Sequence, residues 1–87
     1  MITDVAIRYK GKIYWLPAPY RHHDVIFLIH MQTGDEHVDT RDDDQGFLDE
    51  NATYYRRAPA LYHARQHNQL KPGALTHGSR LYSEDVW

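Results

Sequence analysis

Residues 5–16, VAIRYKGKIYWL, decide the fold because they form two alternating runs joined by a tight turn. Lys10 and Gly11 stand between the runs, and glycine supplies the positive φ that a two-residue hairpin turn needs. Pro17 and Pro19 then end the second strand. The turn fixes the register, which pairs Val5 with Leu16 and Ile7 with Tyr14 on one face and leaves Ala6 and Trp15 on the other.

Residues 21–33, RHHDVIFLIHMQT, predict the first helix. Asp24 suits the positive end of the helix dipole, and Gly34 suits a left-handed cap at the other end. The run VIFLI taken alone would also fit a buried strand, but the length and the polar ends favour a helix. The apolar face at helical spacing consists of Val25, Ile26, Leu28 and Ile29.

Residues 46–55, GFLDENATYY, predict a second hairpin with its turn at residues 49–51. A second helix is expected over residues 57–67, because Pro59 is tolerated only in a first helical turn. Asn68 can take the left-handed position after it. The inward stripe predicted for this helix is Ala60, Leu61, Ala64 and His67.

The order of elements predicts an α+β fold made of two successive hairpin-plus-helix units, ββα-ββα. A chain of 87 residues has room for one domain, residues 1–87, with a thin core. Residues 35–45 hold six of the twelve acidic groups and predict a mobile, solvated loop, since like charges repel one another. The six acids are Asp35, Glu36, Asp39, Asp42, Asp43 and Asp44.

Composition argues against several classes of function. A net charge of −2 disfavours direct nucleic-acid binding, which needs a basic surface. No run approaches the roughly 18 apolar residues of a membrane span, and the first residues lack the pattern of a signal peptide. The absence of cysteine excludes disulfides and thiolate metal sites. We therefore expect a cytoplasmic protein without a cofactor.

Arg21, His22, His23 and Asp24 open the first helix and form the leading candidate for an anion site. Main-chain N–H groups point outward at a helix start, and Arg21 and the two histidines add donors that suit phosphate. The alternative is structural: His22 caps the helix and Arg21 lies in solvent.

Metal binding and catalysis find less support in the sequence. His63 and His67 lie four residues apart, but no glutamate follows the first of them as in zinc peptidases. Residues 42–46 lack the alternating ligands of a calcium loop. No Gly-x-Ser-x-Gly or phosphate-loop motif is present, and Ser79 and Ser83 are the only serines. Binding is therefore favoured over catalysis, and no metal is expected.

The segments QGFLDENATYYRRAPALYHARQHNQL and LYSEDVW resemble a family of short proteins encoded by tailed bacteriophages. The resemblance spans residues 4–87 and includes the Arg-His-His-Asp helix start. The chain departs from the family pattern at Ala52 and Asn68, where glycine is usual, and at Ala58 and Pro59, where acidic residues are usual. Matching positions are Arg21, His22, His23, Asp24, Gln45, Gly46, Phe47, Arg57, Ala60, Ala64, Gln69, Tyr82, Ser83, Glu84 and Asp85.

The resemblance implies a phage accessory protein, and small phage proteins of this kind commonly inhibit host enzymes or immune systems. Our first hypothesis is a non-catalytic binder, or sponge, of a nucleotide-derived immune signal. We expect the helix start and the Ser83-Glu84-Asp85 segment to converge, with Tyr54, Tyr55, Tyr82 and Trp87 available to stack a base. The candidate ligand-binding residues are Arg21, His22, His23, Asp24, Tyr55, Arg57, Tyr82, Ser83, Glu84 and Asp85.

Two other functions stay open. The acidic residues 35–44 would allow an inhibitor to occupy a basic groove of a host or CRISPR protein. A small hydrolase with His22 or His23 as its base is a weaker possibility.

A homodimer is expected because the core is thin and aromatic residues are abundant. Trp15, Tyr20 and Phe27 would form its apolar patch. The alternative is that Trp87 covers Trp15 within one chain.

Overall fold

Four strands and two helices form the regular structure of the computed structural model, which describes residues 1–41, 44–74 and 80–87. This is the predicted α+β class. The elements are β1 (Ile2–Tyr9), β2 (Lys12–Pro17), α1 (His22–Thr33), β3 (Gln45–Asp49), β4 (Tyr54–Arg56) and α2 (Arg57–Gln66). A 3-10 turn, Ser83–Asp85, follows near the end of the chain.

The first hairpin has the predicted register. Its pairs include Val5 with Leu16, Ala6 with Trp15, and Ile7 with Tyr14. Lys10 and Gly11 both adopt positive φ, 49° and 79°, as a two-residue turn that matches the twist of the strands requires.

The two hairpins are parts of one antiparallel sheet in the order β2-β1-β3-β4. Strand β1 pairs with β2 on one side and with β3 on the other. The two hairpins are therefore joined through their first strands into a single continuous sheet, with β1 and β3 at its centre.

Helix α1 confirms the helical interpretation of residues 21–33. Asp24 lies in its first turn, and Gly34 ends it with a φ of 79°. Val25 and Ile29 are fully buried, but His22 is buried with them.

The second hairpin and helix α2 also follow the prediction, and Asn68 takes the left-handed conformation with a φ of 54°. Ala60, Leu61 and Ala64 are buried as expected. The inward placement of His67 is wrong: α2 ends at Gln66, and His67 is exposed just beyond it.

The core lies between the sheet and the two helices. Its fully buried large side chains are Val5, Ile7, Val25, Ile29, Phe47 and Leu81. Trp15, on the opposite sheet face, remains 53% exposed. The alternative in which Trp87 covers Trp15 is therefore wrong, because Trp87 packs edge-on against Phe47 and donates its indole N–H to the main-chain oxygen of Tyr20.

Both ends of the acidic segment are tied to the first hairpin. The carboxylate of Asp35 accepts hydrogen bonds from Tyr9 Oη at 2.6 Å and from Lys10 Nζ at 3.1 Å. These donors lower the pKa of Asp35. The carboxylate of Asp44 lies 3.4 Å from an Arg8 Nη atom. Asp42 and Asp43 lie outside the described residues, so the mobility expected of this part of the segment stays a prediction.

Candidate functional site

The start of α1 meets the SED segment, which we define as residues 81–87, through the side chain of Arg21. Arg21 Nη2 donates to the main-chain oxygen of Trp87 at 2.6 Å, and Nη1 donates to Ser83 Oγ at 3.3 Å. A Glu84 carboxylate oxygen lies 3.6 Å from Nη1. Both Nη atoms of Arg21 thus donate within the chain, and the side chain connects the start of α1 to the SED segment.

The SED segment is itself an ordered turn. The carboxylate of Asp85 accepts the main-chain N–H of Tyr82 at 3.0 Å, and the main-chain oxygen of Asp85 accepts the N–H of Lys71 at 2.8 Å. Both Ser83 and Asp85 are buried, at 3% and 4% exposure. Asp85 is therefore a carboxylate that shapes the turn, and Glu84 is the acid of this segment that reaches solvent.

Arg57 supports the same segment from α2. Its Nη1 donates to the main-chain oxygen of Leu81 at 2.7 Å, and its Nη2 donates to the side-chain oxygen of Gln45 at 2.8 Å. The guanidinium carbon lies 4.4 Å from the ring centroid of Tyr82, which is a cation–π distance. Arg57 therefore positions Tyr82 on the protein surface.

His22 lies beneath this region as a neutral residue of the core. Burial lowers the pKa of His22 to about 4, so its ring is uncharged at neutral pH. Nε2 donates to the main-chain oxygen of Gly46 at 2.8 Å, and the ring packs edge-on against Phe47. The alternative that His22 caps the helix and Arg21 lies in solvent is wrong in both parts, because Arg21 holds the cap position and is half-buried.

The other candidate residues lie apart or point elsewhere. His23 is exposed, and the carboxylate of Asp24 accepts the main-chain N–H of Arg21 at 2.8 Å. This carboxylate places negative charge at the helix start where an anion was expected. Tyr55 donates its hydroxyl to Asp49 at 2.9 Å and stacks on His63, at the other end of the second hairpin.

A cavity of about 380 Å³ opens beside the SED segment, and we call it the turn pocket. It is lined by residues 71–74 on one side and by Tyr82, Glu84 and Asp85 on the other. Lys71 is thus a site residue that sequence reasoning missed. The Pro72-Gly73 turn was the available signal, but only the bond between Lys71 and Asp85 brings the turn to this place.

The histidine pair on α2 is close but engaged. The rings of His63 and His67 have centroids 4.5 Å apart, and His63 Nε2 accepts a hydrogen bond from the N-terminal ammonium of Met1 at 2.9 Å. Within residues 1–41, 44–74 and 80–87, no group of three or more His, Asp or Glu side chains is arranged to hold a metal ion. In the same ranges, no helix is long and apolar enough to cross a membrane.

Fold and site together define a small α+β protein in which a four-stranded antiparallel sheet carries two helices and a surface pocket next to an ordered terminal turn. The chain belongs to the Phage T4 y16D protein family, whose model matches residues 1–87. This confirms the resemblance to short phage proteins. No curated protein and no solved structure matches the chain.

Proposed function

We propose that this phage protein is a non-catalytic binder of a small, anionic, nucleotide-derived ligand, and that it acts against host defence in the bacterial cytoplasm. The observation that carries the proposal is the turn pocket, where a cation, an aromatic ring and an exposed carboxylate face one cavity. Its volume lies near the lower end of the range of about 300–1,000 Å³ that is usual for small-molecule sites.

The pocket residues match the parts of a nucleotide. The Lys71 ammonium provides a charge for a phosphate group, and the Tyr82 ring provides a surface for a base. The Glu84 carboxylate accepts hydrogen bonds from ribose hydroxyls or base amino groups. Arg21 and Arg57 contribute indirectly, because they hold the segment that presents Tyr82 and Glu84.

The hydrogen-bond partners of Ser83 and the lowered pKa of His22 favour binding without turnover. Ser83 Oγ lies between the Arg21 guanidinium and the Glu84 carboxylate, to which it donates at 3.3 Å. His22 has a pKa of about 4 and donates its Nε2 proton to a main-chain oxygen. A histidine in that state is a poor general base at neutral pH, which argues against the hydrolase alternative.

The acidic-surface inhibitor has less support. Asp35 and Asp44 are bound by Tyr9, Lys10 and Arg8 of the first hairpin, so two charges of the segment are partly neutralised within the chain. Replacement of Asp42 and Asp43 by Asn separates the two functions. A sponge keeps its affinity for the small ligand, whereas a charge mimic loses its activity.

Titration calorimetry against a panel of cyclic dinucleotides and ADP-ribose derivatives tests the proposal. We expect at least one member to bind and to be recovered intact. Lys71→Gln should weaken that binding about tenfold or more, the usual loss of a charged hydrogen bond. Lys10→Gln is the matched control, because it removes the same charge at the hairpin turn, and it should keep full affinity. If no member of the panel binds at high micromolar concentration, the proposal is overturned.

A further inference from the structure

Strand β2 is an outer strand of the sheet, and its outer edge has an alternating set of main-chain groups. In an antiparallel hairpin closed by a two-residue turn, alternate residues bond the partner strand, starting with the residue after the turn. Lys12, Tyr14 and Leu16 therefore face β1. The bond from Ala18 N–H to the Thr3 oxygen continues the same alternation.

The N–H and C=O groups of Ile13 and Trp15 consequently point away from the sheet. In the part of the chain that the structure describes, no hydrogen bond within the chain engages them. Pro17 ends the open stretch, because it has no N–H and its oxygen accepts the N–H of Tyr20 at 3.0 Å. The open edge thus consists of two residues placed symmetrically about Tyr14.

The side chains along this edge are apolar. Trp15 is 53% exposed, and Ile13 lies beside it on the sheet face away from the helices. A second cavity of about 380 Å³ runs between the edge and α1, where it is lined by residues 12–15 together with Leu28 and Gln32. Proteins normally protect an exposed edge with charges, prolines or bulges. Strand β2 has Lys12 and Pro17 at its two ends, and the four residues between them, 13–16, are apolar or aromatic.

We propose that β2 pairs with β2 of a second copy of this chain, antiparallel and centred on Tyr14, to form an eight-stranded sheet. A two-fold axis normal to the sheet keeps the helices of both copies on the same side of the eight-stranded sheet. Residues opposite each other then have their side chains on the same face, so an odd-numbered residue must lie opposite an odd-numbered residue. Ile13 then lies opposite Trp15 of the partner. Each of the two such pairs exchanges two main-chain hydrogen bonds, which makes four in total.

The symmetry of the edge is what identifies the occupant. Ile13 and Trp15 lie symmetrically about Tyr14, so pairing with the same edge of a second copy uses every open main-chain donor and acceptor of both residues. The pairing also places isoleucine against tryptophan, a favourable cross-strand combination of β-branched and aromatic side chains. The assembly ends at two chains because a two-fold interface uses the β2 edge of both copies and therefore closes on itself.

Light scattering at tens of micromolar and hydrogen exchange test this interface in the intact protein. We expect a mass of two chains that falls to one chain on dilution. The amides of Ile13 and Trp15 should be protected in the concentrated sample and exchange rapidly in the dilute one, whereas the amide of Tyr14 stays protected in both. A single-chain mass at tens of micromolar, or rapid exchange of Ile13 and Trp15 there, overturns the proposal.

Two variants interrupt the interface by different means. Ile13→Pro removes an N–H that makes no bond within the chain, and Trp15→Lys places a charge at the edge. Both should give the mass of one chain at concentrations where the unmodified protein is dimeric. Tyr62→Lys, at an aromatic residue of α2 that is also exposed, should remain dimeric. A dimer that persists in both edge variants refutes the β2 interface.

Discussion

The guanidinium of Arg21 donates a 2.6 Å hydrogen bond to the main-chain oxygen of Trp87, 66 positions further along the chain. A second donor of the same side chain reaches Ser83. Because Arg21 holds the cap position of α1, one side chain joins the start of that helix to the SED segment. The turn pocket therefore depends on a contact that lies outside its own lining.

We expect Arg21→Ala to lower the free energy of unfolding by about 1.5–3 kcal/mol, the usual contribution of a hydrogen bond to a charged group. Urea unfolding followed by circular dichroism measures the loss. His23→Ala is the control at the next-but-one position, where the side chain is exposed, and it should change stability by less than about 0.5 kcal/mol. Equal effects of the two substitutions would contradict the role given to Arg21.

Stability should fall as the pH is lowered from about 6.5 to about 4, because His22 resists protonation in the folded protein. Its pKa is about 4 when folded, whereas an exposed histidine titrates near 6.5. Between these values the unfolded chain binds the extra proton, so acid favours unfolding, with a maximum contribution of about 3 kcal/mol. Below the folded pKa both states are protonated and this contribution ends.

Urea unfolding at pH 7 and pH 5 measures this dependence. His22→Gln removes the titrating group while it keeps a donor for Gly46, so its stability should change less between the two pH values than that of the unmodified protein. His23→Gln, at an exposed histidine, should retain the original dependence. If the free energy of unfolding of His22→Gln changes between pH 7 and pH 5 as much as that of the unmodified protein, other groups cause the pH dependence.

The hairpin register was predictable because a two-residue turn determines every pair, from Val5 with Leu16 onward. Burial of His22 was also readable in principle, since it lies three and seven residues before Val25 and Ile29 on the same helical stripe. Arg57 stands on the stripe of α2 in the same way. His22 and Arg57 are candidates for ligand contacts by their polar residue type, whereas their positions on the apolar helical stripes indicate burial.

The turn pocket could not be predicted because its walls come from segments with no periodic pattern. Residues 71–74 meet the SED segment through a single main-chain bond from Lys71 to Asp85. Any residue with an N–H could make that bond, so no residue type marks it in advance. The convergence of Arg21 with Ser83 was expected from their polar character, but the engagement of its donors by Trp87 depends on the packing of the whole segment.

Gly46 should not tolerate a side chain. A Cβ at this position would collide with the main-chain oxygen of Tyr55 and lie 2.8 Å from the Tyr54 ring. Gly46→Ala must push the β3–β4 pair apart, and we expect a loss of about 1–3 kcal/mol in the free energy of unfolding. Gly34→Asn is the control, because asparagine accepts positive φ and nothing lies within 4 Å of a Cβ at this position. The prediction fails if Gly34→Asn proves more destabilising than Gly46→Ala.

Gln69 closes the chain around the first residues of β1 by acting as a main-chain mimic. Its side-chain oxygen accepts the N–H of Ile2 at 2.6 Å, and its side-chain nitrogen donates to the oxygen of Ile2 at 2.8 Å. An amide side chain thus makes the paired bonds that a neighbouring strand would make. Gln69→Ala removes both, and we expect a loss of about 1–3 kcal/mol in the free energy of unfolding.

Hydrogen exchange gives this prediction its specific readout, because the amide of Ile2 should exchange much faster in Gln69→Ala while that of Ile7 stays protected. Gln66→Ala serves as the control: Gln66 is exposed at the end of α2 and donates to the Tyr62 hydroxyl. It should leave exchange at Ile2 unchanged and alter stability by less than about 0.5 kcal/mol. If Ile2 remains protected without the Gln69 amide, the prediction fails, and burial of Ile2 together with its pairing to Asp49 of β3 holds this end of β1.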